Sequence, residues 1–415
     1  MNIVLYEDKC VISSIPKHVR NILDTEKVIY NDQDRIDFCG MVVQKNRVDI
    51  FLPRNSGSTR GKEPLKLGTS LIRAIHKYTL NKERILFTDG ASEQIVGGSF
   101  IGLAFTLLDD YIKHGIYIKR TSYIRRNTGK TDWKRTIGRL QNYPTLNSFI
   151  YLDTLGRIKN THYNNEVSRI HAEIIRELNC LIGWVFFDTT STISSELADI
   201  PNSVGDIETK LQILEKEMEL LYTDRDLKLL KDLSMYLSNK TNYFDNNFAI
   251  GIRNFHSMWE HMIDSCVLWK FDVNHRLAKP SYKINGEFKI AIQKGGRTDT
   301  VLMNPDETIF AIIDAKYYGA SNVTNLPGWP DLIKQFFYAS ALKDIYPEAT
   351  INNYFIFPGV SGTVESAHIE DPLTRERQDI RYPPIKCEYI DPMMLVDYYV
   401  SGKKLVELSE RLLHI

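Results

Sequence analysis

The chain has 415 residues, in which 52 Lys and Arg balance 52 Asp and Glu, and 43% of the residues are hydrophobic. Single hydrophobic cores stop growing at roughly 250–300 residues, so this length predicts two or three domains. The balanced charge neither supports nor excludes a nucleic-acid partner. The five cysteines stand far apart with no C-x-x-C pair, which excludes the usual spacings of zinc sites and disulfide frameworks.

The sequence shows no membrane signal. The first residues, MNIVLYEDKC, include acids, and nowhere do about 18 apolar residues follow one another without interruption. We therefore expect neither a signal peptide nor a membrane anchor, and a cytoplasmic protein with no membrane partner.

The first part of the chain has the pattern of a small α+β domain. Two runs of strand-forming residues, 39–45 and 47–53, flank a Lys-Asn connection and resemble a hairpin. An exposed Gly-, Ser- and Arg-rich loop at 54–66 precedes a helix predicted at about 67–80. A second helix is predicted over 93–113, where Gly115 ends it.

Residues 118–139 carry a strong local positive charge. They contain eight Lys or Arg residues against a single acid, Asp132. The eight are Lys119, Arg120, Arg125, Arg126, Lys130, Lys134, Arg135 and Arg139. Such a cluster predicts a surface that contacts phosphates or a partner protein, and the alternative is an ordinary solvated strand and turn. For Trp133, in the middle of the cluster, we expect burial as an anchor rather than exposure as a stacking platform.

The middle of the chain is predicted to be helical. A helical pattern covers 162–181, and apolar residues then recur over 203–238 at alternating spacings of four and three. These residues are Ile207, Leu211, Leu214, Met218 and Leu221. The stripe favours the core of a helical hairpin over a coiled-coil partner site.

The last 165 residues have the pattern of an α/β layer with a mixed central sheet. A helix at 255–269 is followed by strands near 287–293, 297–303 and 309–316, a helix at 331–343, strands at 352–359 and 385–390, and a terminal helix. The fold class predicted for the whole chain is α+β multidomain. Its parts are a small α+β docking or DNA-contacting domain (1–145), a helical middle region (146–245) and a nuclease domain (246–415).

Two aspartates and a lysine fall at informative places in this last block. Asp314 and Lys316 stand two apart at the end of the apolar strand IFAIIDAK, so both side chains lie on one face of the sheet while Ala315 faces away. Asp299 lies on the strand before it. Phosphodiester hydrolysis needs charge stabilisation that divalent metals provide, and Mg²⁺ takes one or two carboxylates. The spacing alone is a weak signal, because an Asp-x-Lys strand end also arises as an exposed ion pair.

Two stretches resemble the nuclease subunit of LlaJI-type restriction systems, a relative of the McrC subunit of McrBC. One is the block 255–359, which contains the aspartates and the lysine. The other combines LIRAIHKYTL (71–80) with GIYIKRTSYIRRNTGKTDWKRTI (115–137), and it is the more discriminating because generic nucleases lack it. The resemblance implies a C-terminal restriction-endonuclease-like domain of the PD-(D/E)xK type.

The resemblance also implies roles at the cleavage centre. Asp299 and Asp314 would bind Mg²⁺ together with the backbone carbonyl of Ala315, and Lys316 would be the catalytic lysine. Glu260, in the helix MWEHMI, would complete the metal shell directly or through water, although a surface charge is the alternative reading.

Further residues are assigned by resemblance to DNA contact. Gln335 and Tyr338 lie where related nucleases carry a Gln and a Tyr that line the DNA groove. The sequence departs from the family pattern at two points: Thr298 replaces the Pro of the superfamily name, and the Gln and Tyr are three residues apart instead of four. From the basic stretch we assign Arg125, Arg126, Lys130, Lys134 and Arg135.

The family implies a subunit that cuts double-stranded DNA only together with a separate AAA+ GTPase motor of the McrB type. The one phosphate-loop-like string, between Gly57 and Glu63, has the wrong glycine spacing and places Glu where Ser or Thr must hold Mg²⁺. The basic stretch could then face either DNA or the motor. Two other functions stay open: a non-catalytic adaptor that positions DNA for a motor, and a stand-alone restriction endonuclease.

Overall fold

The structure is a computed structural model that describes residues 2–29, 34–44, 47–57, 63–84, 95–146, 148–186, 195–243, 247–291, 296–320 and 325–415. The chain divides into two compact units. Residues 1–101 and 244–415 form the discontinuous unit, and residues 102–243 form the inserted unit. The sequence interpretation divided the chain at 145 and 245 instead, and the roles it gave to its three regions stay predictions.

The described residues contain twelve α-helices and several small sheets. The chain begins with β1 (Asn2–Glu7), α1 (Lys17–Thr25), β2 (Cys39–Gln44), β3 (Arg47–Leu52), α2 (Pro64–Arg84), β4 (Ile95–Val96) and α3 (Gly98–His114). It continues with β5 (Lys119–Arg126), β6 (Lys130–Thr131), α4 (Trp133–Arg139), β7 (Tyr143–Pro144), β8 (Phe149–Ile150), β9 (Leu155–His162), α5 (Glu166–Phe186), α6 (Ser195–Asp199), α7 (Ile207–Met218) and α8 (Asp224–Tyr243). It ends with β10 (Phe248–Ile252), α9 (His256–Cys266), β11 (Ser281–Ile284), β12 (Glu287–Ile290), β13 (Thr300–Met303), β14 (Ile309–Ala315), α10 (Trp329–Ile345), β15 (Thr350–Pro358), β16 (Ser366–Ala367), β17 (Ile385–Ile390), α11 (Pro392–Ser401) and α12 (Val406–Leu413).

The first sheet of the discontinuous unit has the order β1-β3-β2-β10-β4. β2 and β3 pair antiparallel, as the sequence predicts, although the connecting Lys45 and Asn46 lie outside the described residues. β10 follows the inserted unit in the chain and pairs with β2. This pairing brings Gly40 opposite Gly251, where a Cβ on Gly40 would lie 2.2 Å from the Ile250 carbonyl oxygen. The sheet therefore joins the two chain segments of the unit through a glycine contact.

The second sheet has the order β13-β14-β15-β17-β16. β14, β15 and β17 are parallel, and the outer strands β13 and β16 run antiparallel, which confirms the predicted mixed sheet. Strand β14 is buried from Phe310 to Ala315 and apolar except for Asp314, as expected of a strand covered on both faces. Helix α10 packs against β14 and β15, and α9 and α12 also contact β14.

One predicted strand is present but belongs to a different sheet. Residues 287–293 were expected beside 297–303, but β12 pairs only with β11, in a separate two-stranded hairpin whose side chains are all exposed. The turn of the hairpin is Asn285-Gly286, and both residues have positive φ, as such a tight turn requires. A strand-forming sequence thus forms a hairpin with its nearest neighbour in the chain instead of joining the central sheet.

The inserted unit combines a small antiparallel sheet, β5-β9-β6, with helices. Helices α7 and α8 pack against each other, which confirms the helical hairpin predicted over 203–238. The expected burial of Trp133 is wrong, because its side chain is 58% exposed. Trp133 opens the seven-residue helix α4, in which only Thr136 is buried, so this helix has no apolar face to cover a large ring.

Candidate active site

The antiparallel register of β13 and β14 brings the two predicted metal-binding aspartates together. Thr300, the first residue of β13, pairs with Ile313, so Asp299 immediately before β13 comes next to Asp314, and the two side chains are in hydrogen-bond contact. Lys316 follows at the end of β14, where its backbone N–H donates to the Ile356 carbonyl. The site therefore lies at the edge of the central sheet where β13 begins and β14 ends.

The two carboxyl groups share a hydrogen bond, and their pKa values move apart. Burial, followed by the nearby charge of Asp314, raises the pKa of Asp299 to about 6. Burial alone would also raise the pKa of Asp314, but the Lys316 ammonium and the hydrogen bond from Asp299 hold it below its ordinary value. Asp314 is thus a buried carboxylate that is kept charged, and Asp299 is the member of the pair that takes a proton first.

Two lysines neutralise this pair from different directions. Lys316 Nζ lies 2.6 Å from Asp314 Oδ2 and 2.6 Å from Asp331 Oδ1. Lys334 Nζ, reaching from α10, lies 3.2 Å from Asp314 Oδ1 and 3.5 Å from Asp299 Oδ1. Burial opposes the charge of both ammonium groups, yet their carboxylate partners raise both pKa values, so both lysines are cationic at neutral pH.

Glu260 faces this cluster from α9. Burial and then the charges of Asp299 and Asp314 raise its pKa to about 7. Among the residues that the structure describes, no three His, Cys, Asp or Glu side chains are arranged to hold one metal ion. Glu260 therefore lies close enough to the aspartates for their charges to shift its pKa, and its place in a metal shell stays a prediction.

The carbonyl of Ala315 is directed to the same edge. Lys316 uses its N–H on the β15 side, and successive residues of a strand direct their amide groups to opposite neighbours. The Ala315 carbonyl consequently points to the β13 side of the strand, where Asp299 lies. Two carboxylates in contact, with this carbonyl beside them, make an all-oxygen donor set of the kind that suits Mg²⁺. The residues present fit such an ion.

Gln335 and Tyr338 are both buried in the structure, at 1% and 6% exposure. The Tyr338 hydroxyl donates to the Arg297 carbonyl at 2.6 Å and accepts from the Arg297 N–H at 2.9 Å. These bonds fix the backbone two residues before Asp299. Tyr338 therefore has a positioning role in the structure, and contact of Gln335 or Tyr338 with DNA stays a prediction.

Lys334 and Asp331 are functional candidates that the sequence interpretation missed. Asp331, Lys334, Gln335 and Tyr338 follow the spacing i, i+3, i+4, i+7, which places them on one face of α10. Asp331 and Lys334 contact the site and Tyr338 fixes the backbone beside it, while Gln335 lies buried on the same face. The helical spacing was a signal that could have identified Lys334 once Gln335 had been singled out.

The basic residues assigned to DNA contact belong to the inserted unit. Arg125, Arg126, Lys130, Lys134 and Arg135 are all exposed. Two of them form ion pairs, Arg126 with Asp153 at 2.7 Å and Arg135 with Asp132 at 3.8 Å. Exposed pairs of this kind are weak, so the surface keeps a strongly positive character.

A family model matches most of the chain and so shows which family the chain belongs to. Residues 38–368 match the family model described as LlaJI restriction endonuclease. The chain belongs to the LlaJI restriction endonuclease family, and this membership implies a nuclease of a restriction system. Restriction endonucleases generally use a divalent metal, in agreement with the oxygen-rich site.

One curated protein and chains of two solved structures are among those similar to this chain. It is 23% identical over 372 residues to the component YdjA of the type II restriction enzyme BsuMI from Bacillus subtilis (strain 168), covering 82% of this chain and 77% of YdjA. It is 13% identical to a chain in the structure of McrB AAA+ hexamers with bound McrC from Thermococcus gammatolerans, covering 97% of this chain and all of that one with a TM-score of 0.41. A chain of the McrBC complex of the same organism is 13% identical, covering 62% of this chain and 85% of that one with a TM-score of 0.28.

Within the described parts of the chain, no helix has both the length and the apolar character needed to cross a membrane.

Proposed function

We propose that this chain is the cleavage subunit of a restriction system and that it hydrolyses phosphodiester bonds of double-stranded DNA with Mg²⁺ at the site formed by Asp299, Asp314 and Lys316. The observation that carries the proposal is the contact between two aspartates from adjacent strands, with Lys316 2.6 Å from one of them. Burying two contacting carboxyl groups costs stability even with Lys316 and Lys334 beside them, which favours a functional role over a purely structural one.

Each residue of the proposed site has its own role in hydrolysis. Asp299, Asp314 and the Ala315 carbonyl would hold Mg²⁺, which when bound would supply a Lewis acid for phosphate oxygens. Lys316 holds a positive charge beside the reacting phosphate and can orient the attacking water. Asp331 keeps the Lys316 side chain in place through its ion pair. Glu260, which lies close enough for the aspartates to raise its pKa, would complete the metal shell directly or through water.

The proposal includes a partner. The family resemblance implies that such subunits act with an AAA+ GTPase motor of the McrB type. We expect nucleotide hydrolysis to come from such a partner, because the string between Gly57 and Glu63 departs from a phosphate-binding loop in sequence. Residues 58–62 of that string lie outside the described part of the structure.

The test is a cleavage assay on double-stranded DNA with Mg²⁺, with and without the neighbouring motor subunit and GTP. Asp314→Asn and Lys316→Met should each lower the cleavage rate at least about a hundredfold, because each removes charge from the reacting centre. Asp344→Asn is the matched control, since Asp344 is exposed on α10, and it should cut normally. Circular dichroism and analytical size exclusion verify that the variants fold and assemble.

The outcomes separate the alternatives. Full activity of either site variant ends the assignment of this centre. An adaptor would give no cleavage by the wild type in any combination, and a stand-alone enzyme would cut without the motor. The intact trio of Asp299, Asp314 and Lys316 favours an enzyme over the adaptor.

A further inference from the structure

The side chain of Lys334 lies between Asp299 and Asp314 and contacts both. Its ammonium nitrogen is 3.2 Å from Asp314 Oδ1 and 3.5 Å from Asp299 Oδ1. It thus bridges carboxyl oxygens that come from two adjacent strands. Lys334 therefore neutralises the same two carboxylates that would hold a divalent ion.

Lys316 is held in a different way. It approaches the other oxygen of Asp314, Oδ2, at 2.6 Å and is anchored by Asp331 at 2.6 Å. The side chain of Lys316 is 15% exposed, whereas that of Lys334 is 37% exposed. A divalent ion held by Asp299 and Asp314 would therefore compete with Lys334, which contacts both carboxylates, more than with Lys316, which is also held by Asp331.

The energetics of the pair explain why a cation is present without metal. Two carboxylates in contact repel each other, and burial strengthens this repulsion. An ammonium that bridges them removes much of the cost, but it also has to be displaced before a metal can bind. Since Lys334 stands on a helix, its four-carbon chain can swing away from the carboxylates without moving the backbone.

We propose that Lys334 is an internal counter-ion of the metal-free enzyme, which competes with the divalent ion for Asp299 and Asp314 and is released toward the substrate phosphate when the ion binds. This inference rests on the proposed metal site. It adds that the chain sets its own metal affinity, so the site takes up metal less readily than its two carboxylates would alone. DNA then meets a released ammonium only where metal has already bound.

The test measures Mn²⁺ binding directly, by isothermal titration calorimetry of the full chain without DNA. Lys334→Met should bind Mn²⁺ about tenfold tighter than the wild type or better, because the competing charge is gone. Lys334→Arg should bind no tighter than the wild type. Lys343→Met is the control: it removes one exposed Lys from the same helix, nine residues or about 13 Å farther along, and should leave the affinity unchanged.

A second readout is thermal unfolding. In EDTA the Lys334→Met protein should melt below the wild type, and Mn²⁺ should raise its melting temperature by more than it raises that of the wild type. Lys334→Gln, which keeps a polar head, repeats both measurements in case the methionine variant does not fold.

The results test the metal site and the counter-ion role of Lys334 separately. If the wild type binds Mn²⁺ and Asp314→Asn does not, while both neutral Lys334 variants bind no tighter than the wild type, the counter-ion inference is overturned and the metal site stands. If Asp314→Asn binds Mn²⁺ as the wild type does, or neither binds it, the metal site itself fails and the inference falls with it.

Discussion

At the scale of single residues, the site shows how neighbours decide the charge of a buried group. Asp314 is almost fully buried, yet Lys316 and the hydrogen bond from Asp299 hold its pKa low. Asp299 has the same side chain, but its pKa rises to about 6, with burial as the largest cause and the charge of Asp314 as the next. Identical residues thus receive different pKa values, and such perturbed carboxyl pairs are typical of functional sites.

The same principle gives a testable case outside the site, at His171 in the inserted unit. Its ring is fully buried, and its Nδ1 accepts a hydrogen bond from the Tyr117 N–H at 3.0 Å. Burial, aided by Arg225, lowers the pKa of His171 to about 4. An unfolded His takes up a proton near pH 6.5, so the contribution of neutral His171 is complete above that pH and is lost as the pH falls toward 4.

We therefore expect the stability of the protein to fall by up to about 3 kcal/mol between pH 7 and pH 4 through this residue alone. His171→Asn keeps a hydrogen-bond acceptor near the Nδ1 position and cannot titrate, so its acid dependence should be shallower. Urea unfolding followed by circular dichroism at several pH values measures the difference. Parallel pH curves for the wild type and the variant would contradict this account.

At the scale of elements, helix α10 carries more of the site than its sequence indicated. On one face of this helix, Asp331 forms an ion pair with Lys316, and Lys334 contacts both aspartates. On the same face, Gln335 is buried and Tyr338 fixes the backbone at Arg297. The strands supply the carboxylates, and the helix supplies the bridging cation and the supports around them. A change in the packing of α10 would therefore disturb every part of the site at once.

The basic surface of the inserted unit raises the other question at this scale, which is whether it meets DNA or the motor. Lys130 and Lys134, both exposed, are suitable probes. If they contact DNA phosphates, the double Lys→Ala variant should bind DNA more weakly at all sequences, and the slope of log affinity against log salt should shrink by about 0.9 for each lost contact. If they contact the motor, DNA affinity should stay as it was and the affinity for the motor subunit should fall.

Lys231 serves as the control for this experiment, because it is exposed on α8 of the same unit and lies outside the basic stretch. Lys231→Ala should change neither affinity. A double variant that keeps both affinities would leave the surface as an ordinary solvated strand and turn. Trp133, next to Lys134, is exposed, and aromatic rings are enriched at protein interfaces. This exposure favours contact with a partner protein.

At the scale of the whole molecule, the discontinuous unit depends on a strand that arrives late in the chain. β10 enters the first sheet only after the inserted unit has been completed, and its Gly251 meets Gly40 where neither backbone leaves room for a Cβ. A contact between residues so far apart in sequence costs loop entropy before it contributes stability.

Gly40→Ala should therefore destabilise the protein by about 2 kcal/mol or more, because the new Cβ would lie 2.2 Å from the Ile250 carbonyl oxygen and φ at Gly40 is +155°. Gly138→Ala is the matched control, since a Cβ added to Gly138 on α4 would meet nothing within 4 Å, and Ala favours helix. Thermal unfolding measures both. Equal melting temperatures for the two variants would show that β10 pairing tolerates a side chain.

The sequence by itself determined what depends on near neighbours. The period-two spacing placed Asp314 and Lys316 on one face of a buried strand, and the apolar patterns located β2, β3, α2 and the α7–α8 hairpin, because hydrogen bonding and side-chain direction in these elements repeat over a few residues. The family resemblance pointed to a restriction nuclease on the same local evidence, and the family match agrees with it.

Only the tertiary structure decided what depends on distant partners. It placed Lys334 between the aspartates, joined β10 to β2, separated β12 from the central sheet and exposed Trp133. Each of these follows from which surfaces are covered by segments far away in the chain, and local periodicity carries no information about that choice. The sequence alone therefore identified the two aspartates and Lys316, but it did not identify Lys334, which contacts both aspartates.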